Sequence, residues 1–134
     1  MAKDIYHDTV RTALEKDGWT ITQDPLRLTI GGRGVYVDLG AEKLIVAERE
    51  GRKIAVEIKS FIGASPVKDL EAALGQYILY EDILARNKPD RTLYLAVHEE
   101  VYLDFFTKEI VQLVLENKRM KIIVFDPIKE VVTQ

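Results

Sequence analysis

Lys53-Ile54-Ala55-Val56-Glu57-Ile58-Lys59-Ser60-Phe61 is a strand with a charge problem. Ile54, Val56 and Ile58 share one face, and Ala55, Glu57 and Lys59 share the other. A strand covered on both sides normally carries apolar residues on both. Here a carboxylate and an amine stand on a face that is otherwise core-like. Charges of this kind are expensive to bury unless they are paired or bound to a metal ion.

The residues upstream bear on that face. Glu50-Gly51 has the composition of a tight hairpin turn, which makes 43–49 the antiparallel partner of 53–61 and sets Leu44 opposite Glu57. A third strand is expected over 35–39. If residues 40–42 (Gly-Ala-Glu) form a short loop, Asp38 pairs with Leu44 and falls on the same face as Glu57, one strand apart. The placement depends on register, because a slip of one residue moves Asp38 to the other side.

Two carboxylates so placed offer a hard oxygen site for Mg2+, or Mn2+. Such an ion acidifies a bound water and stabilises charge developing on phosphorus. Lys59, two positions beyond Glu57, points the same way and is suited to orient that water or neutralise the phosphate. Glu-x-Lys by itself means little: Glu116-Asn117-Lys118 repeats it at a helix end, where solvation explains it. Strand context and the upstream Asp38 separate the first copy from the second. A buried ion pair that merely fixes the sheet is the competing explanation.

The remaining segments complete an α/β pattern. An N-terminal helix is expected from Ile5, Val10, Ala13 and Leu14, with Gly18 as its C-terminal stop. A short strand over 19–21 is interrupted at Asp24-Pro25, and Gly31-Gly32-Arg33-Gly34 marks a turn or loop. Downstream, Ser65 caps and Pro66 opens a helix carrying Val67, Leu70, Leu74, Tyr77, Ile78 and Leu84 at helical spacing up to Arg86. A strand over 92–97, a helix over 101–115 and a last strand over 122–125, stopped by Pro127, follow. No repeat or linker appears, so 1–134 reads as a single domain with a mixed central sheet flanked by helices.

Composition narrows the function classes. A chain of 134 residues without cysteine excludes disulfides, thiolate metal sites and thiol nucleophiles. No signal sequence or membrane span is evident, and a cytoplasmic location is expected. The net charge of −3 argues against a protein that coats DNA, but a local basic patch suffices for an enzyme that touches one groove. Arg27 and Arg33, flanking the glycine-rich stretch before Asp38, are the expected DNA-binding pair. His7 and His98 are expected to be exposed polar residues.

Asp38, Glu57-Ile58-Lys59, the order of elements, and Gln76 with Tyr80 on the following helix look like the PD-(D/E)xK nuclease superfamily. More narrowly, the chain resembles the XisH family of cyanobacteria, the fdxN element excision controlling factors, with Val56-Glu57-Ile58-Lys59-Ser60-Phe61 and Leu74-Gly75-Gln76-Tyr77 as the most recognisable stretches. The resemblance implies a restriction-endonuclease-like fold and a role in programmed DNA-element excision beside a site-specific recombinase and a companion protein, XisI. It implies Asp38 and Glu57 as metal ligands, helped by the Ile58 carbonyl, and Lys59 as the catalytic lysine. Gln76 and Tyr80 match the Gln-x-x-x-Tyr motif of the RecB-like branch, and Glu15 matches an accessory acid of some branches. Val37 departs from the proline of the superfamily name.

Two functions stay open at this stage. One is a metal-dependent DNA endonuclease or nickase. The other is a non-catalytic accessory protein that controls a recombinase through protein contacts on a nuclease-type fold. A homodimer is compatible with either.

Overall fold

The computed structural model describes residues 5–26, 29–32, 35–38, 44–87, 90–117 and 120–134. Six strands form a mixed sheet in the order β1-β4-β5-β6-β7-β8, and a separate two-stranded sheet pairs β2 with β3. The strands are β1 (Thr20–Leu26), β2 (Thr29–Gly32), β3 (Val35–Asp38), β4 (Leu44–Arg49), β5 (Arg52–Ile58), β6 (Arg91–His98), β7 (Ile122–Asp126) and β8 (Val131–Val132). β5, β6 and β7 run parallel; the other pairings in the large sheet are antiparallel. Helix α1 (His7–Lys16) packs through Val10, Ala13 and Leu14 against Ile45, Ile54, Val56 and Ala96 on one face of the sheet. Helix α2 (Pro66–Asn87) packs through Leu70, Ala73, Tyr77, Tyr80 and Leu84 against Ala55, Leu93 and Leu95 on the opposite face. The result is a mixed α/β fold in three layers.

Local chemistry explains the element ends. α1 stops where Gly18 adopts φ +92°, with the Gly18 N–H donating to Glu15 O and the Trp19 N–H to Leu14 O at 3.0 Å. This is the paired bonding of a left-handed helix stop, which glycine adopts without steric cost. Gly18→Ala is expected to lower stability by about 1 kcal/mol, seen as a lower urea midpoint at unchanged slope. At the β4–β5 turn both central residues have positive φ, Glu50 at 51° and Gly51 at 79°, which matches the twist of the flanking strands. Ser65 Oγ accepts the Lys68 N–H at 3.3 Å and so caps α2, whose first residue is Pro66.

Several expectations need correction. β1 runs on through Asp24-Pro25: it is an edge strand, and register shifts on either side of Gln23 absorb a residue that cannot donate to a ladder. Gly31 and Gly32 are strand residues paired with Tyr36 and Val35. The expected 101–115 helix is broken into α3 (Glu99–Val101), a π-helical turn (Tyr102–Phe106) and α4 (Glu109–Glu116). The break lets Phe106 reach full burial beneath α2. β8 carries too few residues to have a readable pattern.

The register of the central hairpin agrees with expectation. Ile45 pairs with Val56 and Arg49 with Arg52, so one step further Leu44 stands against Glu57. The pairing of Asp38 with Leu44 does not form. β4 takes β1 on its other edge, Leu26 against Leu44, and Asp38 pairs with Thr29 in the small sheet. With both edges of β4 filled, β3 has no edge to join and closes on its nearest neighbour in sequence. Arg27, Arg33 and the loop at 40–42 lie outside the described residues.

Candidate functional site

Glu57 is wholly buried, at 0% exposure. It sits near the C-terminal end of β5, beside Leu95 of β6. Strand alternation puts it on the side of Ala55, the side covered by α2. Electrostatics agree: the Tyr77 phenol on α2 is pushed up to about 12, chiefly by burial, and the charge of Glu57 is among the smaller contributions. Lys59 follows directly after β5, half-buried, and its N–H continues the ladder by donating to Ala96 O at 3.2 Å. Since β5, β6 and β7 are parallel, this is the edge of the sheet at which all three strands end, where ligands of open α/β sheets gather.

The same face of the sheet receives the two α2 residues of the Gln-x-x-x-Tyr motif. Tyr80 is buried in the core cluster shared by α2 and the sheet. Gln76 is half-buried, and its Oε1 is sealed from solvent without a hydrogen-bond partner among the described residues. Tyr77 ties the layer together: its hydroxyl donates to Leu93 O at 2.7 Å and accepts the Lys121 N–H at 3.1 Å. Glu15 is exposed on α1, whose buried face packs on the opposite side of the sheet. Asp38 ends β3, in the small sheet. Carboxylate and backbone-carbonyl oxygens are the hard donors that magnesium takes. Among the described residues, however, no three His, Asp or Glu side chains cluster tightly enough to hold a metal ion.

Two of the basic residues near the hairpin turn, Arg49 and Lys53, are already engaged. Arg49 Nη1 contacts Asp17 O at 2.8 Å and Asp17 Oδ2 at 3.0 Å, and its guanidinium lies 4.5 Å from the Trp19 ring centre. Lys53 pairs with Asp90 at 3.1 Å. These contacts, and a hollow of about 780 Å³ lined by Asp17, Thr20 and Arg49, lie at the end of the sheet away from Lys59.

Both histidines are buried, against expectation, His7 at 2% and His98 at 8% exposure. His98 ends β6 on the α1 side, with its ring 5.2 Å from Tyr6 and 6.4 Å from Phe125. A histidine at a strand end resembles a surface residue in sequence; Tyr6, just before α1, and Phe125 of β7 pack against it.

Phe61, next to the candidate site, was not singled out by its own chemistry in the sequence. It adopts φ +55° immediately beyond Lys59-Ser60, and its ring meets Phe106 at 5.4 Å. Three of the chain's four phenylalanines converge there, and the adjacent Phe105-Phe106 pair was the signal available in the sequence.

Comparison with known proteins places the chain. The profile of the XisH protein family matches residues 1–133. The chain belongs to the XisH family. It is similar to the crystal structure of an XisH family protein from Nostoc punctiforme PCC 73102, at 45% identity and a TM-score of 0.88, with 98% of each chain covered. It is equally similar to an fdxN element excision controlling factor protein from Anabaena variabilis, at 44% identity and a TM-score of 0.88, again covering 98% of each chain. No curated protein matches. Among the described residues of this XisH family chain, no helix is long and apolar enough to cross a membrane.

Proposed function

We propose that the chain is an excision controlling factor for a DNA element and acts as a metal-dependent endonuclease or nickase on a restriction-endonuclease-like, PD-(D/E)xK-type fold. The carrying observation is the placement of Glu57, followed two positions later by Lys59, at the common end of three parallel strands. The similarity to the Anabaena variabilis excision controlling factor supports the biological half. Removing a DNA element requires phosphodiester bonds to be broken, so DNA in the cytoplasm is the substrate class. XisI and a site-specific recombinase are the proposed partners.

In this reading Glu57, the Ile58 carbonyl and Asp38 would hold Mg2+ or Mn2+, which would supply an acidified water and charge stabilisation at phosphorus. Lys59 offers its ammonium to a non-bridging phosphate oxygen as negative charge builds there. Gln76 and Tyr80, one helical turn apart, brace the Lys59 end of β5 from the α2 side. Arg27 and Arg33 grip the DNA backbone, and Glu15 is left as an accessory acid.

The test is nicking of supercoiled plasmid with Mg2+ or Mn2+. Wild type is expected to nick, chelator to stop it, and Lys59→Ala to slow it on the order of 100-fold. Equal nicking by wild type and Lys59→Ala ends the nuclease reading.

The complete burial of Glu57 favours a second reading, because a catalytic carboxylate has to reach the ion its substrate contacts. In that case the fold is a scaffold that controls the recombinase through protein contacts. Element excision in cells carrying Lys59→Ala separates the two: normal excision selects the scaffold.

A further inference from the structure

Three contacts clamp the segment that follows β5. The Lys59 N–H donates to Ala96 O at 3.2 Å, the Phe61 ring packs edge-on against Phe106 at 5.4 Å, and the Gly63 N–H donates to Asp69 Oδ2 at 3.1 Å. The last contact is close enough that a Cβ on residue 63 would come within 2.7 Å of Asp69 Oδ1. The chain therefore leaves the sheet along a fixed path and reaches the capped start of α2 with little slack.

The middle clamp joins two uncommon backbone conformations. Phe61 has φ +55°, which is costly for a bulky residue and persists only where its surroundings enforce it. Phe106 belongs to the π-helical turn, a feature that recurs at functional sites. Tyr102 stacks on Phe106 at 6.2 Å from the far side of that turn, and Phe105 lies 6.1 Å from Phe61. Burial of Phe106 accounts for the π-helical turn. The positive φ of Phe61 is explained if this ring contact decides where β5 ends.

We infer that Phe61 is a positioning residue for the Glu57–Lys59 site: docking of its ring on Phe106 pins the end of β5 and so holds Lys59 on Ala96. The inference rests on the reading of Glu57 and Lys59 as the site, but it can be tested apart from nuclease activity.

Phe61→Asn and Phe61→Tyr separate ring from backbone. Asparagine tolerates the left-handed conformation but removes the ring, and tyrosine keeps the ring. Amide hydrogen exchange is read at Lys59 and, as an internal control, at Leu95, which donates to Lys121 O in the sheet centre. In Phe61→Asn, Lys59 is expected to exchange about tenfold faster or more with Leu95 unchanged, since only the local opening is eased. Phe61→Tyr should match wild type. If the wild type nicks DNA, Phe61→Asn should lower kcat by roughly 10- to 100-fold at unchanged KM. Equal acceleration at Lys59 and Leu95 would make Phe61 a general stability residue and overturn the inference, as would an unchanged Lys59. If the wild type does not nick, the nuclease reading falls, while the exchange ratio still decides the role of Phe61. Should Phe61→Asn fail to fold, Phe61→Leu gives the same ratio without the ring.

Discussion

Glu57→Leu is expected to abolish metal-stimulated nicking while leaving the protein at least as stable as wild type. The two effects have different sources. Leucine has no ligand oxygen, so activity falls by at least about 100-fold. Stability responds to solvation: Glu57 has no exposure and stands between Leu95 on β6 and Leu44 on β4, on the face that carries Ala55. A carboxylate kept for chemistry carries a desolvation cost on burial that leucine does not, so its replacement is expected to be neutral or stabilising. The measurement is a urea titration beside the plasmid assay. If instead the variant loses about 3–5 kcal/mol, as when one member of a buried pair is removed, Glu57 is a structural partner of the sheet. A functional carboxylate should behave as a stability liability.

Tyr77→Phe is expected to cost about 2–4 kcal/mol, because one buried hydroxyl satisfies two backbone groups. It donates to Leu93 O at 2.7 Å and accepts the Lys121 N–H at 3.1 Å, tying α2 to β6 and to the segment leading into β7. The phenol also sets a pH limit. Burial raises it from 10.0 to about 12, so between those values the folded state retains a proton that the unfolded state releases. The contribution is therefore complete below pH 10 and is lost as pH rises toward 12, at up to about 1.4 kcal/mol per unit. Wild-type stability should fall across that window, and Tyr77→Phe should show a shallower decline. An identical slope in both proteins would remove Tyr77 as the source.

The central hairpin was legible because several local signals agreed: alternation in 54–58, Glu50-Gly51 at the turn, and Ser65-Pro66 opening α2. Both sides of the β5–α2–β6 crossover could be read from such signals. The strand partner of Asp38 was misread because β-pairing is a contest between partners, and sequence shows the candidates but not the winner. β1 captured β4 despite Pro25, since bulges accommodate a proline at a sheet edge. The π-helical turn was hidden because its apolar spacing mimics an ordinary helix; what breaks the helix is the burial of Phe106. His98 was misjudged for a related reason, since Tyr6, which packs on its ring, lies far away in the chain. Of the candidate site, the four-residue spacing of Gln76 and Tyr80 put them on one helical face, but which side of the sheet α2 and Glu15 would take was not readable.

The parallel pairing of β5 with β6 has a consequence for synthesis. Glu57 is covered on one side by Leu95, which emerges from the ribosome only after the whole of α2. The hairpin of β4 and β5 can form early, since its contacts are local, but a crossover of this length closes slowly. During that interval the carboxylate stays hydrated at an open strand edge. The site is therefore among the last parts of the chain to mature, and fragments ending before β6 should carry Glu57 and Lys59 without the environment that gives them chemistry.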